Sequence, residues 1–154
     1  MKDTWLRSVD PSGRVLLPSD LCDASGWISG EGPLQGWLLM HTYRRLRLLS
    51  AHDVEASSEV LRLKEIGGVQ EQKGGPLDFE EPGSVVLAGR ILERQLARST
   101  SGWRLTLPRN VVELWEIRPG NNSAAVLISG GYVEIWSIDA LRDAYSVPLR
   151  DLIR

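Results

Sequence analysis

The chain has 154 residues, a length that suits one medium domain or two small ones sharing a core. Hydrophobic residues make up 42% and charged residues 25%, which excludes a disordered or fibrous chain and implies a packed interior. A formal net charge of −2 excludes a protein that is basic all over, so any phosphate-binding surface has to be local.

Trp5-Leu6-Arg7-Ser8-Val9 alternates as a half-buried strand does. The window Ser12-Gly13-Arg14-Val15-Leu16-Leu17-Pro18 follows, and Ser19 to Ala24 leaves room only for a curtailed helix before glycines at 26, 30, 32 and 36. Gly30 to Gly36 has the composition of a nucleotide loop without its spacing, and reads as a plain loop. Trp37 to Ser50 suggests a hairpin turning at Tyr43-Arg44, in which Arg45, Leu46, Arg47 and Leu48 alternate as a half-exposed strand. Arg44, Arg45 and Arg47 then form its solvated face, or else a phosphate-facing stripe. Asp53 is expected to cap a helix reaching Ile66, and Gly67 to Gly83, with five glycines and two prolines, reads as a flexible linker.

Val85 to Ser99 is ambiguous locally, because Ile91 to Arg98 suits a helix on propensity. An internal repeat favours a strand there. The second window, Ser101-Gly102-Trp103-Arg104-Leu105-Thr106-Leu107-Pro108, puts Arg104 and Pro108 each 90 positions after Arg14 and Pro18. Arg109 to Ile117 has apolar residues at helical spacing, with Pro119-Gly120 as a stop. Ala124 to Ser137 reads as a hairpin around Gly130-Gly131 and matches Trp37 to Ser50 at an offset of 87. A last helix is expected around Asp139 to Tyr145. The division is therefore 1–66 as a first repeat, 67–84 as linker and 85–154 as a second repeat.

Enzyme chemistry finds little support. Cys22 has only His41 and His52 as candidate partners, neither at motif spacing, and the same three residues give no metal-ligand pattern. No cofactor and no metal are expected. The start Met1 to Trp5 lacks the apolar run of a secretory signal, and no stretch has the length of a membrane span, so a cytoplasmic location is expected.

Val9-Asp10-Pro11-Ser12-Gly13-Arg14-Val15-Leu16-Leu17-Pro18 resembles the signature of the SpoVT/AbrB superfamily, whose unit is a strand, a loop ending in Gly-Arg, a strand ending at Pro, a short helix and a closing hairpin. Two such units in one chain resemble the MraZ family of bacterial DNA-binding regulators, and Tyr132 to Ser137 is similar to the strand closing its second unit. The resemblance implies a mainly β fold with short helices, in which two tandem swapped-hairpin units form a small pseudo-twofold β-barrel. It implies a non-enzymatic, sequence-specific transcriptional regulator that binds double-stranded DNA at a promoter region as a homo-oligomer, associated with the nucleoid.

In that family an Asp-x-x-x-Arg pattern is associated with DNA recognition, which makes Asp10, Ser12, Gly13 and Arg14 the candidate contacts, together with Arg104. Asp10 would orient the guanidinium of Arg14; the plainer reading of the pair is a salt bridge that stabilises a turn. The second half has Thr100 four residues before Arg104, and Trp103 separates Gly102 from Arg104. Arg14 is therefore expected to be functional and Arg104 largely structural. The alternative is a MraZ-like oligomeric protein-interaction scaffold that has lost DNA binding, favoured by the acidic balance and the eroded second motif.

Overall fold

The computed structural model describes residues 4–42, 44–56, 71–72 and 91–145. Strands β1 (Thr4–Ser8) and β2 (Arg14–Pro18) lead to helix α1 (Ser19–Ser25), then to strands β3 (Leu34–Thr42) and β4 (Arg45–Leu49) and helix α2 (Ala51–Ala56). Beyond a two-residue strand β5 (Glu71–Gln72), the same order returns as β6 (Ile91–Ser99), β7 (Gly102–Thr106), α3 (Arg109–Leu114), β8 (Ser123–Ser129), β9 (Tyr132–Ser137) and α4 (Ile138–Tyr145). The ambiguous segment before the second window is thus strand from Ile91 onward; residues 73–90, most of the expected linker, lie outside the described residues.

Local chemistry explains most of these boundaries. Pro18 and Pro108 both stand in extended conformation at the N-caps of α1 and α3, where the first helical N–H groups have no intrahelical acceptor. Helix α1 runs for seven residues, one more than α3, and the first of the glycines cuts it short as expected: Gly26, at φ 82, takes the left-handed cap position, and its N–H donates to the Asp23 carbonyl. At α2, Ser50 is the cap and Asp53 its reciprocal partner. The Asp53 N–H donates to Ser50 Oγ at 3.1 Å while Asp53 Oδ2 accepts from the Ser50 N–H at 2.9 Å, so Asp53 works from inside the first turn rather than ahead of it. Residues 57–66 of the helix expected to reach Ile66 lie outside the described residues. Trp115, expected within a helix, is the residue that ends α3.

Eight strands pair antiparallel in the order β1-β8-β9-β4-β3-β6-β7-β2, with β5 parallel to β6. The two ends of that path, β1 and β2, meet at an antiparallel bridge between Val9 and Val15, so the sheet nearly closes into a barrel. The pairing crosses between halves: β1 lies on β8 and β6 on β3, while β2 pairs with β7 and β4 with β9. Val15 faces Leu105, 90 positions away, and Arg47 faces Glu134, 87 positions away. In each of these two ladders one pair of residues matched by the sequence offsets is directly opposed, and the neighbouring residues are staggered about it.

The barrel interior holds Leu17, Leu38, Leu46, Leu96, Trp103 and Ile135, each at most 1% exposed. Outside the barrel wall, Val54 of α2 packs with Leu39 and Leu49, and Leu141 of α4 packs with Leu127 and Trp136. The two central hairpins are therefore covered on both faces. The β2·β7 pair is buried on one face only, with Val15, Leu17, Trp103 and Leu105 inward and Arg14 and Arg104 outward.

The two runs of elements differ in length at one place. Ser8 lies opposite Ser123 and Arg94 opposite Gly36; since Ser123 and Gly36 are 87 apart, Ser8 and Arg94 are counterparts. Six positions separate Ser8 from Arg14 and ten separate Arg94 from Arg104. The four added residues extend a β6–β7 hairpin, in which Ala97 faces Arg104 and Ser99 faces Gly102 across a turn at Thr100-Ser101.

Candidate nucleic-acid interface

Asp10 organises the loop between β1 and β2. Its Oδ1 accepts the N–H groups of Ser12 and Arg14, each at 2.9 Å, and its Oδ2 accepts Arg14 Nε at 2.9 Å. The backbone adds Gly13 N–H to the Asp10 carbonyl at 2.8 Å and Asp10 N–H to the Arg14 carbonyl at 2.9 Å. Gly13 is buried, and its carbonyl accepts the Leu107 N–H at 2.8 Å, which ties the loop to the end of β7. Ser12 is exposed at the tip. The Asp10 carboxyl is held below the ordinary carboxylate value: slight desolvation pushes it up, and the hydrogen bonds and charge of Arg14 with the Ser12 N–H outweigh that. Both readings of the pair share this geometry, since Asp10 braces the turn and fixes the direction of Arg14.

Arg14 spends only Nε on Asp10, and its side chain is 45% exposed. Arg104 lies one strand away, because Arg14 faces Thr106 and Leu16 faces Arg104 in the β2·β7 register. The Arg104 guanidinium is exposed and has no hydrogen-bond or ion-pair partner among the described residues. The expectation that Arg104 is structural finds no bond for it to make. Arg14 and Arg104 both line an open groove of about 620 Å³, with Arg98, Gln95, Thr100 and Thr106 among the others and no carboxylate in the lining among the described residues. Arg104 also lines a smaller depression together with Arg14, Ser8 and Asp10. Trp103, read from sequence as a disturbance, is a core residue at 1% exposure on the opposite face of β7.

The strand arginines of the first hairpin behave differently. Arg44 bonds to Asp143, Arg45 lies over the Trp136 ring at 4.9 Å, and Arg47 lies over Tyr132 at 4.6 Å while bonding Glu134 Oε2 at 2.9 Å. This is neither a phosphate-facing stripe nor a freely solvated one. The side chains fasten the outside of the barrel. Arg94 is likewise engaged, its Nε donating to the Thr106 carbonyl at 2.9 Å. Arg109 is exposed at the start of α3, outside the groove.

Cys22 is buried at 1% exposure, and desolvation, aided by the charge of Asp23 and opposed by Arg98, pushes its thiol up to about 12. A thiol so far from ionising is a poor nucleophile at neutral pH. Among the described residues no group of three or more His, Cys, Asp and Glu is arranged to hold a metal ion. No described helix is long and apolar enough to cross a membrane.

The site residues expected from sequence thus converge on the β1–β2 loop and the outward face of β2·β7. Arg98, read from sequence as the end of an ambiguous segment, was not assigned to the site. The turn-forming run Ser99-Thr100-Ser101-Gly102 is the signal that would have placed it on a hairpin beside Arg104. Fold and site together define a mainly β, barrel-like protein that presents an arginine-lined antiparallel ribbon. Comparison with known proteins gave no match to a family model and none to a curated sequence.

Proposed function

We propose that the chain is a DNA-binding regulator that meets the duplex with the β2·β7 ribbon, and that its two halves are SpoVT/AbrB-like units of the MraZ type. The observation that carries the reading is the meeting of Arg14 and Arg104, outward-facing on paired strands, around a groove whose lining holds no carboxylate among the described residues. A two-stranded antiparallel ribbon fits the major groove of B-DNA, where arginine reads guanine O6 and N7 with two hydrogen bonds. Asp10 occupies Nε of Arg14 and leaves the two terminal nitrogens for a partner, which lowers the ordering cost of binding. The net charge of −2 does not oppose this, because the local field at the ribbon governs contact with phosphates.

The exchanged pairing of β1 with β8 and β6 with β3 supports the two-unit reading of the fold. A cytoplasmic homo-oligomer would repeat the ribbon and gain affinity on repeated DNA sites without new contacts. The test is fluorescence anisotropy of a labelled duplex from the region upstream of the protein's own gene, against a shuffled duplex, between about 50 and 200 mM salt. Binding that weakens with salt and prefers the native duplex is expected. No binding at the lowest salt overturns the reading and leaves the oligomeric interaction scaffold.

A further inference from the structure

The groove beside Arg14 and Arg104 has a third wall, supplied by β6. Gln95 and Ala97 of that strand are exposed and Leu96 between them is fully buried, so the two share the outward face of the sheet. Ala97 lies directly opposite Arg104, which also points outward, and Gln95 therefore stands on the same face as Arg104, one pleat along. It lines the groove together with Arg14, Arg104 and Thr106. Arg98 has the other parity: it lies opposite Trp103, and its guanidinium stands over that ring on the face away from Arg104. Both neighbouring strands fix the place of Gln95. It pairs with Gln35 of β3 on one side, and on the other the Nε of the preceding Arg94 donates to the Thr106 carbonyl at 2.9 Å, which ties β6 to the end of β7. The side-chain amide of Gln95 makes no hydrogen bond among the described residues.

We propose that Gln95 is a base-reading residue of this surface and that the base it reads is adenine. The proposal rests on the DNA-binding reading and widens its surface from the β2·β7 ribbon to a third strand. In the major groove a primary amide matches N6 and N7 of adenine with two hydrogen bonds, as a guanidinium matches O6 and N7 of guanine. An exposed amide bonded to nothing in the protein keeps that full set for a partner. Charge decides against a phosphate at this position. Gln95 is neutral, and Glu93, two residues before it on the same strand, adds a negative charge nearby, whereas Arg14 and Arg104 supply the positive charge that phosphates require. Strand β7 lies between β6 and β2, so a duplex seated on Arg104 of the middle strand has Gln95 on one side of that contact and Arg14 on the other.

The experiment measures binding of the full chain to its native upstream duplex, across a salt series, and to a panel of duplexes in which each base pair is replaced in turn. The wild type is compared with Q95A, Q35A, R14A and R104A. Gln35, exposed on the neighbouring strand and outside the groove lining, is the control of the same residue type. Q95A should lose about 5- to 100-fold in affinity for the native duplex and lose its preference at one adenine–thymine position only, with the slope of log affinity against log salt unchanged, while Q35A binds as the wild type does. Replacing that adenine by 7-deazaadenine, which lacks the N7 acceptor, should weaken the wild type and leave Q95A unaffected. A wild-type base profile for Q95A, with reduced binding in R14A and R104A, overturns the assignment and leaves the DNA-binding reading standing. An equal loss on every duplex makes the amide a backbone contact and overturns the assignment in the same way, as does a loss for Q35A equal to that for Q95A. No binding of the wild type at the lowest salt, or wild-type affinity in R14A, R104A and Q95A alike, overturns that reading and this one with it.

Discussion

On the β4·β9 side of the barrel, Arg47 is pinned between Glu134 and Tyr132 and Arg45 lies on Trp136, whereas on the β2·β7 side Arg104 keeps its charge in open solvent. Both pairs of strands lie where the two runs of elements face each other. The covering layer differs. α2 and α4 pack outside the central hairpins, so the arginines there stand beside buried acidic and aromatic groups, while no such layer lies over the ribbon among the described residues. The same residue type therefore fastens the fold on one side and offers free charge on the other, and stability and binding should separate by face.

The sharpest test is the Arg47–Glu134 pair, whose side chains are 19% and 2% exposed. Arg47→Ala leaves the Glu134 carboxylate buried with only the Trp136 Nε1–H as a named donor, and should cost about 3–5 kcal/mol in denaturant unfolding. If the loss is below about 1 kcal/mol, the pinned side is no different from a surface pair. Next is Gly102, where a Cβ would lie 2.0 Å from the Leu17 carbonyl oxygen, so that β2 and β7 would have to move apart. Gly102→Ala should destabilise by about 1–3 kcal/mol and weaken DNA binding as well, because it deforms the ribbon that carries Arg14 and Arg104.

Arg104→Ala should do the reverse of Arg47→Ala. Its effect on unfolding should stay within about 0.5 kcal/mol, while affinity for duplex DNA falls by about 1–3 kcal/mol if it reads a base. Equal losses of affinity from Arg14→Ala and Arg104→Ala would mean that both halves contact DNA; a fall in melting temperature without a binding effect would restore a structural role for Arg104. The smallest effect is the pH dependence of the Asp10 brace. Its carboxyl is depressed in the folded state, so its contribution is present above the unfolded value near 3.9 and is lost as pH falls through the lower folded value. Wild type should therefore lose slightly more melting temperature than Asp10→Asn as pH is lowered from about 5 to about 2, and parallel curves would show that the brace adds nothing.

Much of the fold was legible because it is written in local periodicity. Alternation in Trp5 to Val9 and in Arg45 to Leu48 and the glycines at 130 and 131 identify strands and a turn from neighbours in the chain alone. The offsets of 90 and 87 marked the two windows and the two hairpins whose strands pair with one another, β2 with β7 and β4 with β9. The Asp10–Arg14 contact was legible for the same reason, since four residues of a tight loop bring the pair together whatever the rest of the chain does.

What the sequence determined alone, then, is which segments are strands, where they turn, and that Asp10 holds Arg14. Tertiary structure decided the surroundings of Arg45, Arg47 and Arg104. Arg45 and Arg47 read as an exposed stripe until α4 and the buried Glu134 and Trp136 come beside them. Arg104 read as a damaged copy of Arg14 until the β6–β7 hairpin showed that Thr100 occupies a turn and Trp103 belongs to the core on the opposite face. A charge in a sequence has a sign but no surroundings, and whether it is paired, stacked or free depends on groups 87 or 90 positions away that only the closed sheet brings within a few ångströms.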